Sequence, residues 1–424
     1  MTIGVIGLWH LGCVITASWL KLGFPVVAVD FEEELVDCLL RAEPPIYEPG
    51  LQELFATSLE EKKVLFSTDP SSLAQCQYVF LAYDTPVDEQ DQYDLMPLQK
   101  ALMHIGPVLR PGTLVIVSSQ IPVGTAQTFR EQLQKENPDI ELVYSPENLR
   151  LGEAVSNYLH PGHIVIGGEK AEAIQQAVSL FSSIQATYLP MNLVSAEMTK
   201  HALNAFLATS ITFANQLNDA CKITGAHFLP VVAGMKMDPR IGQRAYLKAG
   251  IGFSGGTLGR DLHILEEVNQ KFGGNVCPLF GDVWQYNRLR ATQLCTKVGR
   301  ALGVLEGKTI AILGMTYKPG TSTLRRSTPL EIARSLACMG AVVRVHDPKA
   351  DWSEGNMEDL EIYTDPYRMA LHADLLLLLT EWPQFQQLDL SQLARGMNHK
   401  KLYDPHYFLT DQVQELTKLG FEIL

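Results

Sequence analysis

Lys200 and Asn204 stand four residues apart in a stretch, 195–222, that carries helical periodicity and contains neither glycine nor proline. Residues at i and i+4 share one face of a helix. An ammonium and a carboxamide side by side can stabilise an oxygen that gains negative charge, such as an alkoxide losing hydride from its carbon. A lone helix lysine would more simply be a solvated surface residue, so this pair needs support from its surroundings. A second feature opens the chain. The apolar run Ile3–Ile6 leads into Gly7-Leu8-Trp9-His10-Leu11-Gly12 and then a helical stretch, and Asp30 closes the next apolar run 18 residues after Gly12. Such a layout puts backbone N–H groups at a helix N-terminus, where phosphate binds, and a carboxylate where ribose hydroxyls would lie. The third feature is Gly252-Phe253-Ser254-Gly255-Gly256-Thr257-Leu258-Gly259-Arg260-Asp261, a glycine-rich segment with a hydroxyl, a cation and a carboxylate but no thiol.

These groups need a scaffold. The first half of the chain alternates short apolar runs (Ile3–Ile6, Val26–Asp30, Val79–Ala82, Leu114–Ser118) with helical stretches at 11–22 and 32–42. That rhythm predicts a parallel sheet covered by helices on both faces. The long helix over 195–222 opens a section that reads as all-helical. The β/α rhythm returns with strand 309–313, helix 328–339, strand 341–346 and the apolar strand 375–380, whose five consecutive leucines are too short to cross a bilayer. At 424 residues more than one core is expected. A net charge of −13 without long runs of one sign argues against a nucleic-acid binder. Seven scattered cysteines without a C-x-x-C pair read as reduced, mostly packed thiols. The chain enters a strand at once, without a basic leader, so a cytoplasmic location is expected.

The N-terminal layout is that of a Rossmann dinucleotide fingerprint, and Asp30 favours NAD over NADP because a 2′-phosphate would meet a negative charge. Gly7, Trp9, His10, Leu11, Gly12 and Asp30 are the candidate cofactor residues. Trp9 stands where the fingerprint has a glycine that lets the backbone approach the pyrophosphate. The competing reading is a Rossmann-like domain that binds no dinucleotide, or binds it displaced. Asp30 and the other motifs favour NAD.

Several strings further along resemble the nucleotide-sugar dehydrogenases, and the UDP-glucose dehydrogenase branch in particular. They are Pro45-Ile46-Tyr47-Glu48-Pro49-Gly50-Leu51, Thr85-Pro86, Ser145-Pro146-Glu147 through Gly152, and Glu197-Met198-x-Lys200-x-x-x-Asn204-Ala205-Phe206-Leu207-Ala208. Met237-Asp238-Pro239-Arg240-Ile241-Gly242, Gly314-x-x-Tyr317-Lys318-Pro319-x-Thr321 with Arg325 and Ser327, and Thr380-Glu381-Trp382 extend the likeness to about residue 405. The resemblance implies an α/β fold of two Rossmann-like, doubly wound parallel-sheet domains joined by a helical domain with a long connecting helix. Its parts would be an NAD domain (1–190), a central dimerising domain (191–305) and a UDP-sugar domain (306–424). It implies a homodimer acting on a nucleotide sugar for polysaccharide biosynthesis, without nucleic acid, membrane or metal. Lys200, Asn204 and Asp261 would contact the reacting sugar oxygen and a water, and Glu147 would act as acid or base. Thr85 and Ser119 would flank the cofactor. Leu149, Arg240, Tyr246, Lys248, Gly252, Phe253, Lys318 and Arg325 would bind the substrate.

The departures from the family pattern cluster at chemistry. Thr257 replaces the cysteine that holds the sugar aldehyde covalently for a second oxidation. Gln120 replaces a threonine, Leu151 a glutamate, Arg260 a lysine and His406 an arginine. A threonine hydroxyl is a poor nucleophile without a dedicated base. Three functions therefore compete, in this order: an NAD-dependent nucleotide-sugar oxidoreductase with atypical or incomplete oxidation; a redox-neutral, epimerase-like enzyme that retains NAD; and a nucleotide-sugar binder without activity.

Overall fold

A computed structural model describes residues 1–85, 93–147, 149, 151–271 and 278–424. Pro86 of the Thr85-Pro86 pair and Cys277 lie outside the described residues. The chain divides into two compact units, Met1–Leu203 and Asn204–Leu424.

The first unit holds an eight-stranded sheet: β1 (Ile3–Ile6), β2 (Val26–Val29), β3 (Val64–Ser67), β4 (Tyr78–Leu81), β5 (Leu114–Val117), β6 (Glu141–Tyr144), β7 (His163–Gly167) and β8 (Thr187–Met191). Their order is β3-β2-β1-β4-β5-β6-β7-β8. β1, β4 and β5 are buried throughout, as strands covered on both faces must be, and they read as unbroken apolar runs for that reason. Apolar clusters fill both faces, one around Trp19, Phe80 and Phe181, the other around Leu98, Phe129 and Leu142. One pairing is antiparallel: Tyr144 of β6 lies opposite Gly167 of β7. Among the described residues the segment between them holds the six-residue helix Ala154–Leu159. β8 is largely exposed and contains Pro190, which suits an edge strand.

The second unit holds a six-stranded parallel sheet, β9 (Thr309–Leu313), β10 (Val342–His346), β11 (Leu360–Ile362), β12 (Leu375–Leu378), β13 (Lys401–Tyr403) and β14 (Glu422–Ile423). Its order, β11-β10-β9-β12-β13-β14, is that of two mononucleotide-binding halves meeting between β9 and β12. β12 is the leucine run, buried along its length. Ahead of this sheet the same unit carries helices Phe228–Met237, Thr257–Lys271 and Leu279–Leu302.

The expected long helix spans Leu193–Thr224, 32 residues, and carries Lys200 and Asn204 one turn apart. Its start is fixed within the first unit by two side chains. Glu197 accepts from Gly124 N–H (2.6 Å) and Ala126 N–H (2.7 Å), capping helix Thr125–Glu136, and a His201 ring nitrogen pairs with the Ile121 carbonyl at 2.9 Å. Among the described residues no helix is long and apolar enough to cross a membrane.

Candidate active site and cofactor cradle

In the first unit the candidate cofactor residues converge at the C-terminal edge of the sheet, where doubly wound folds bind ligands. Gly7 follows β1 with φ +92°, and a Cβ there would lie 2.7 Å from the Tyr83 ring. A Cβ on Gly12 would fall 1.7 Å from the Gly7 carbonyl oxygen, so both glycines are required by close packing. The helix His10–Lys21 begins at once, with no side-chain cap from Trp9. Trp9, between the two glycines, is 38% exposed. Asp30 is buried after β2. Its Oδ2 accepts from Leu8 N–H (2.6 Å) and its Oδ1 from Glu32 N–H (3.1 Å), which ties the acid to the glycine loop. Thr85 and Ser119 are buried at the ends of β4 and β5: Thr85 Oγ1 donates to the Gln120 carbonyl (2.9 Å) and Ser119 Oγ to that of Leu81 (3.3 Å). The glycine cradle, the helix N-terminus and the acid after β2 fit a dinucleotide.

Two acids near this loop had no assigned role. Glu48, buried in the Pro45–Leu51 string, pairs with His10 Nε2 at 2.8 Å and accepts from Gly152 N–H (2.7 Å) and Ala154 N–H (3.3 Å). It fastens the cofactor helix to the segment that follows Glu147. Asp84 accepts from Leu11 N–H at 3.2 Å. The only available signal for Asp84 was an acid directly before Thr85 in a loop that follows a central strand.

Lys200 Nζ donates to the Glu147 carbonyl oxygen at 2.6 Å. The Glu147 carboxyl is pushed up to about 7, because burial disfavours its charge more than the nearby Lys200 ammonium restores it. A carboxyl balanced near neutrality can give or take a proton. Glu147 and Leu149 line a cavity of about 320 Å³ together with Asn157, His160 and His163.

In the second unit Asn204 Nδ2 donates to Asp261 Oδ2 at 2.5 Å, and both side chains are buried. This bond fixes which end of the Asn204 amide faces Asp261. A cavity of about 330 Å³ is lined by Tyr246, Lys248, Gly252, Phe253, Tyr317, Lys318, Glu381 and His406, among others. Its glycine-rich wall is held by polar side chains. Gly250 N–H donates to Asn215 Oδ1 (2.8 Å), Arg290 donates to the Gly250 carbonyl, and Asn287 clasps Phe253 through both its N–H and its C=O, at 2.8 Å each. Gly252 has φ +101°, and a Cβ on it would strike Asn287. His406 is packed under Gly250 and its ring pairs with the Leu379 carbonyl; burial lowers its pKa. Lys248 pairs with Glu381 at 2.6 Å. The Lys318 ammonium lies 5.7 Å from the centre of the Tyr317 ring.

Thr257 is exposed at the first position of helix Thr257–Lys271, and among the described residues nothing hydrogen-bonds its hydroxyl. Arg240 and Arg325 lie outside the lining of this cavity. Arg240 is exposed and paired with Asp238 at 2.6 Å, and Arg325 faces Glu354 at 3.5 Å. Among the described residues no His, Cys, Asp and Glu are grouped to hold a metal ion.

Three family models cover most of the chain. Residues 1–185 match the NAD binding domain of the UDP-glucose/GDP-mannose dehydrogenase family, 194–288 its central domain and 311–411 its UDP binding domain. The UDP-glucose 6-dehydrogenase TuaD of Bacillus subtilis is 33% identical over 425 residues, covering 99% of this chain and 91% of the relative. The chain belongs to this family. A UDP-glucose 6-dehydrogenase of Rhizobium meliloti is 32% identical over 99% of the chain and 98% of its own length. A solved UDP-glucose dehydrogenase from Pyrobaculum islandicum superposes with a TM-score of 0.87 at 28% identity, covering 96% of this chain and 94% of that one. As a member of the family the protein is an NAD-dependent oxidoreductase acting on CH–OH groups, and its cofactor is NAD.

Proposed function

We propose that this family member oxidises a UDP-linked hexose and stops after the first hydride, at the aldehyde. The carrying observation is an asymmetry. Lys200 is anchored, and the Asn204–Asp261 pair is buried and formed, whereas position 257 offers an exposed threonine without a base among the described residues. The likeness to UDP-glucose 6-dehydrogenases and the match to a UDP binding domain support the UDP-hexose. NAD supplies the hydride acceptor. The Lys200 ammonium and the Asn204 amide, one helical turn apart, stabilise the oxygen as its carbon loses hydride and its proton passes to water. The cavity around Phe253 and Lys318 holds the nucleotide sugar by apolar contact and positive charge. A second oxidation needs a covalent adduct or a hydrate, and Thr257 is a poor nucleophile for the former.

The division into domains at 190/191 and 305/306 belongs to the same reading. So does a homodimer in the cytoplasm. Phe206 (71% exposed) and Phe213 (47%) lie seven residues apart on the long helix, an apolar stripe suited to a second copy.

The test is NADH yield per UDP-glucose. The native protein should form one NADH per sugar and little uronic acid. Thr257→Cys should move the yield toward two and produce uronate. Native protein that makes uronate with two NADH per sugar would overturn the proposal.

A further inference from the structure

The loop that receives the cofactor's pyrophosphate already holds an anion. Leu11 is the second residue of helix His10–Lys21, and its N–H is one of the first-turn donors that no helical carbonyl can satisfy. In this layout such donors bind the pyrophosphate. The helix has no acid in its own first turn and no capping side chain from Trp9. Asp84, three residues beyond β4, fills that role from outside, with Oδ2 3.2 Å from Leu11 N. A carboxylate is favoured there by the helix dipole. The neighbouring Tyr83 ring is wedged against Gly7, which pins the backbone that carries Asp84. Asp30 stands at the other end of the loop on Leu8 N–H, so two carboxylates frame the segment that two phosphate charges must enter.

We propose that Asp84 is a built-in competitor for the cofactor's phosphates. It caps the helix in the free protein, its side chain withdraws when NAD enters, and its charge sets how tightly the diphosphate is held. This effect is separate from any steric effect of Trp9, because it acts through charge on one backbone donor.

Calorimetric titration of the full chain with NAD, ADP-ribose and adenosine tests it, using the native protein, Asp84→Asn and Asp84→Ser. Two variants are used so that failure of one to fold leaves the other to decide. Both should bind NAD and ADP-ribose about tenfold more tightly than the native protein, while adenosine, which has no phosphate, binds unchanged. Asp84→Glu, which keeps the charge, should show no gain. The proposal falls if neither neutral variant gains affinity, if Asp84→Glu gains as much as they do, if adenosine gains as much as ADP-ribose, or if no form of the protein binds NAD.

Discussion

Asp30 and Asp347 occupy equivalent places in the two sheets. Each follows the second strand of its sheet and holds the glycine turn that follows the first. Gly7 and Gly314 have φ of +92° and +89°, and each donates its N–H to the last residue of the neighbouring strand, Val29 or His346. Each would clash with the backbone after the fourth strand, at Tyr83 or Thr380, if it carried a Cβ. The aspartates are used differently. Asp30 accepts two backbone N–H groups, one on each oxygen, and keeps further lone pairs. Asp347 accepts from Met315 N–H, Thr316 N–H and Oγ1, Trp382 Nε1, Lys349 N–H and Ala350 N–H. With six donors on it, Asp347 is a strut. The chain also leaves the two turns differently: one helix starts at His10, directly after the loop, the other only at Thr328. The same strand order thus serves a dinucleotide cradle in one unit and a braced loop in the other.

The largest effect should come from breaking the strut. Asp347→Ala orphans several buried donors and should cost about 4 kcal/mol of unfolding free energy, read by denaturant titration. Asp30→Ala should cost only about 1 kcal/mol, by loss of two backbone bonds, but should abolish most NAD affinity. Equal destabilisation by the two variants would erase the distinction.

A second contrast lies in partly buried carboxyls. Burial raises Glu147 to about 7 in the first unit. Asp404 rises to about 6 in the second, where burial outweighs the N–H groups of Leu409 and His406. In both cases the folded state binds the proton more tightly than the unfolded chain, so the contribution to stability falls as pH rises from the ordinary carboxyl value to the raised one. Relative to the native protein, Glu147→Gln should remove the part of this decline that extends to pH about 7, and Asp404→Asn only the part below about 6. Denaturant unfolding at intervals between pH 4 and 8 would separate them. The pH dependence of activity near neutrality should change in Glu147→Gln alone.

The smallest effect belongs to Trp9. Its side chain is partly exposed, so Trp9→Gly should leave the unfolding midpoint nearly unchanged and strengthen NAD binding severalfold. Calorimetry showing unchanged affinity would mean that the indole does not impede the cofactor, leaving charge at Asp84 as the feature that sets the first cradle apart.

Much of the scaffold was legible from short windows of sequence. The leucine run is β12, the glycine-free stretch is the long helix, and Gly7 and Gly12 stand where only glycine fits. Buried strands and amphipathic helices impose their periods on neighbouring residues, so local pattern is enough. β3, β6, β7, β8, β11, β13 and β14 were not read from the sequence: β3, β8, β11 and β14 lie at sheet edges and β13 is three residues long, while β6 and β7 are interior strands of four and five residues. Motif strings marked Lys200, Asn204 and Asp261, but the partners were out of reach. Glu48 bonds to Gly152 N–H across 104 residues and Lys200 reaches a carbonyl 53 residues away. Asp84 caps a helix 73 residues earlier. Asp238, which faces Arg240, stands two residues before it in the same string, whereas nothing in the string of Arg325 shows that Glu354 faces it. The sequence by itself determined which segments become strands, helices and glycine turns, because those follow from the geometry of a few consecutive residues. Only the tertiary structure decided which acid meets which donor, because a hydrogen bond depends on where a distant part of the chain returns.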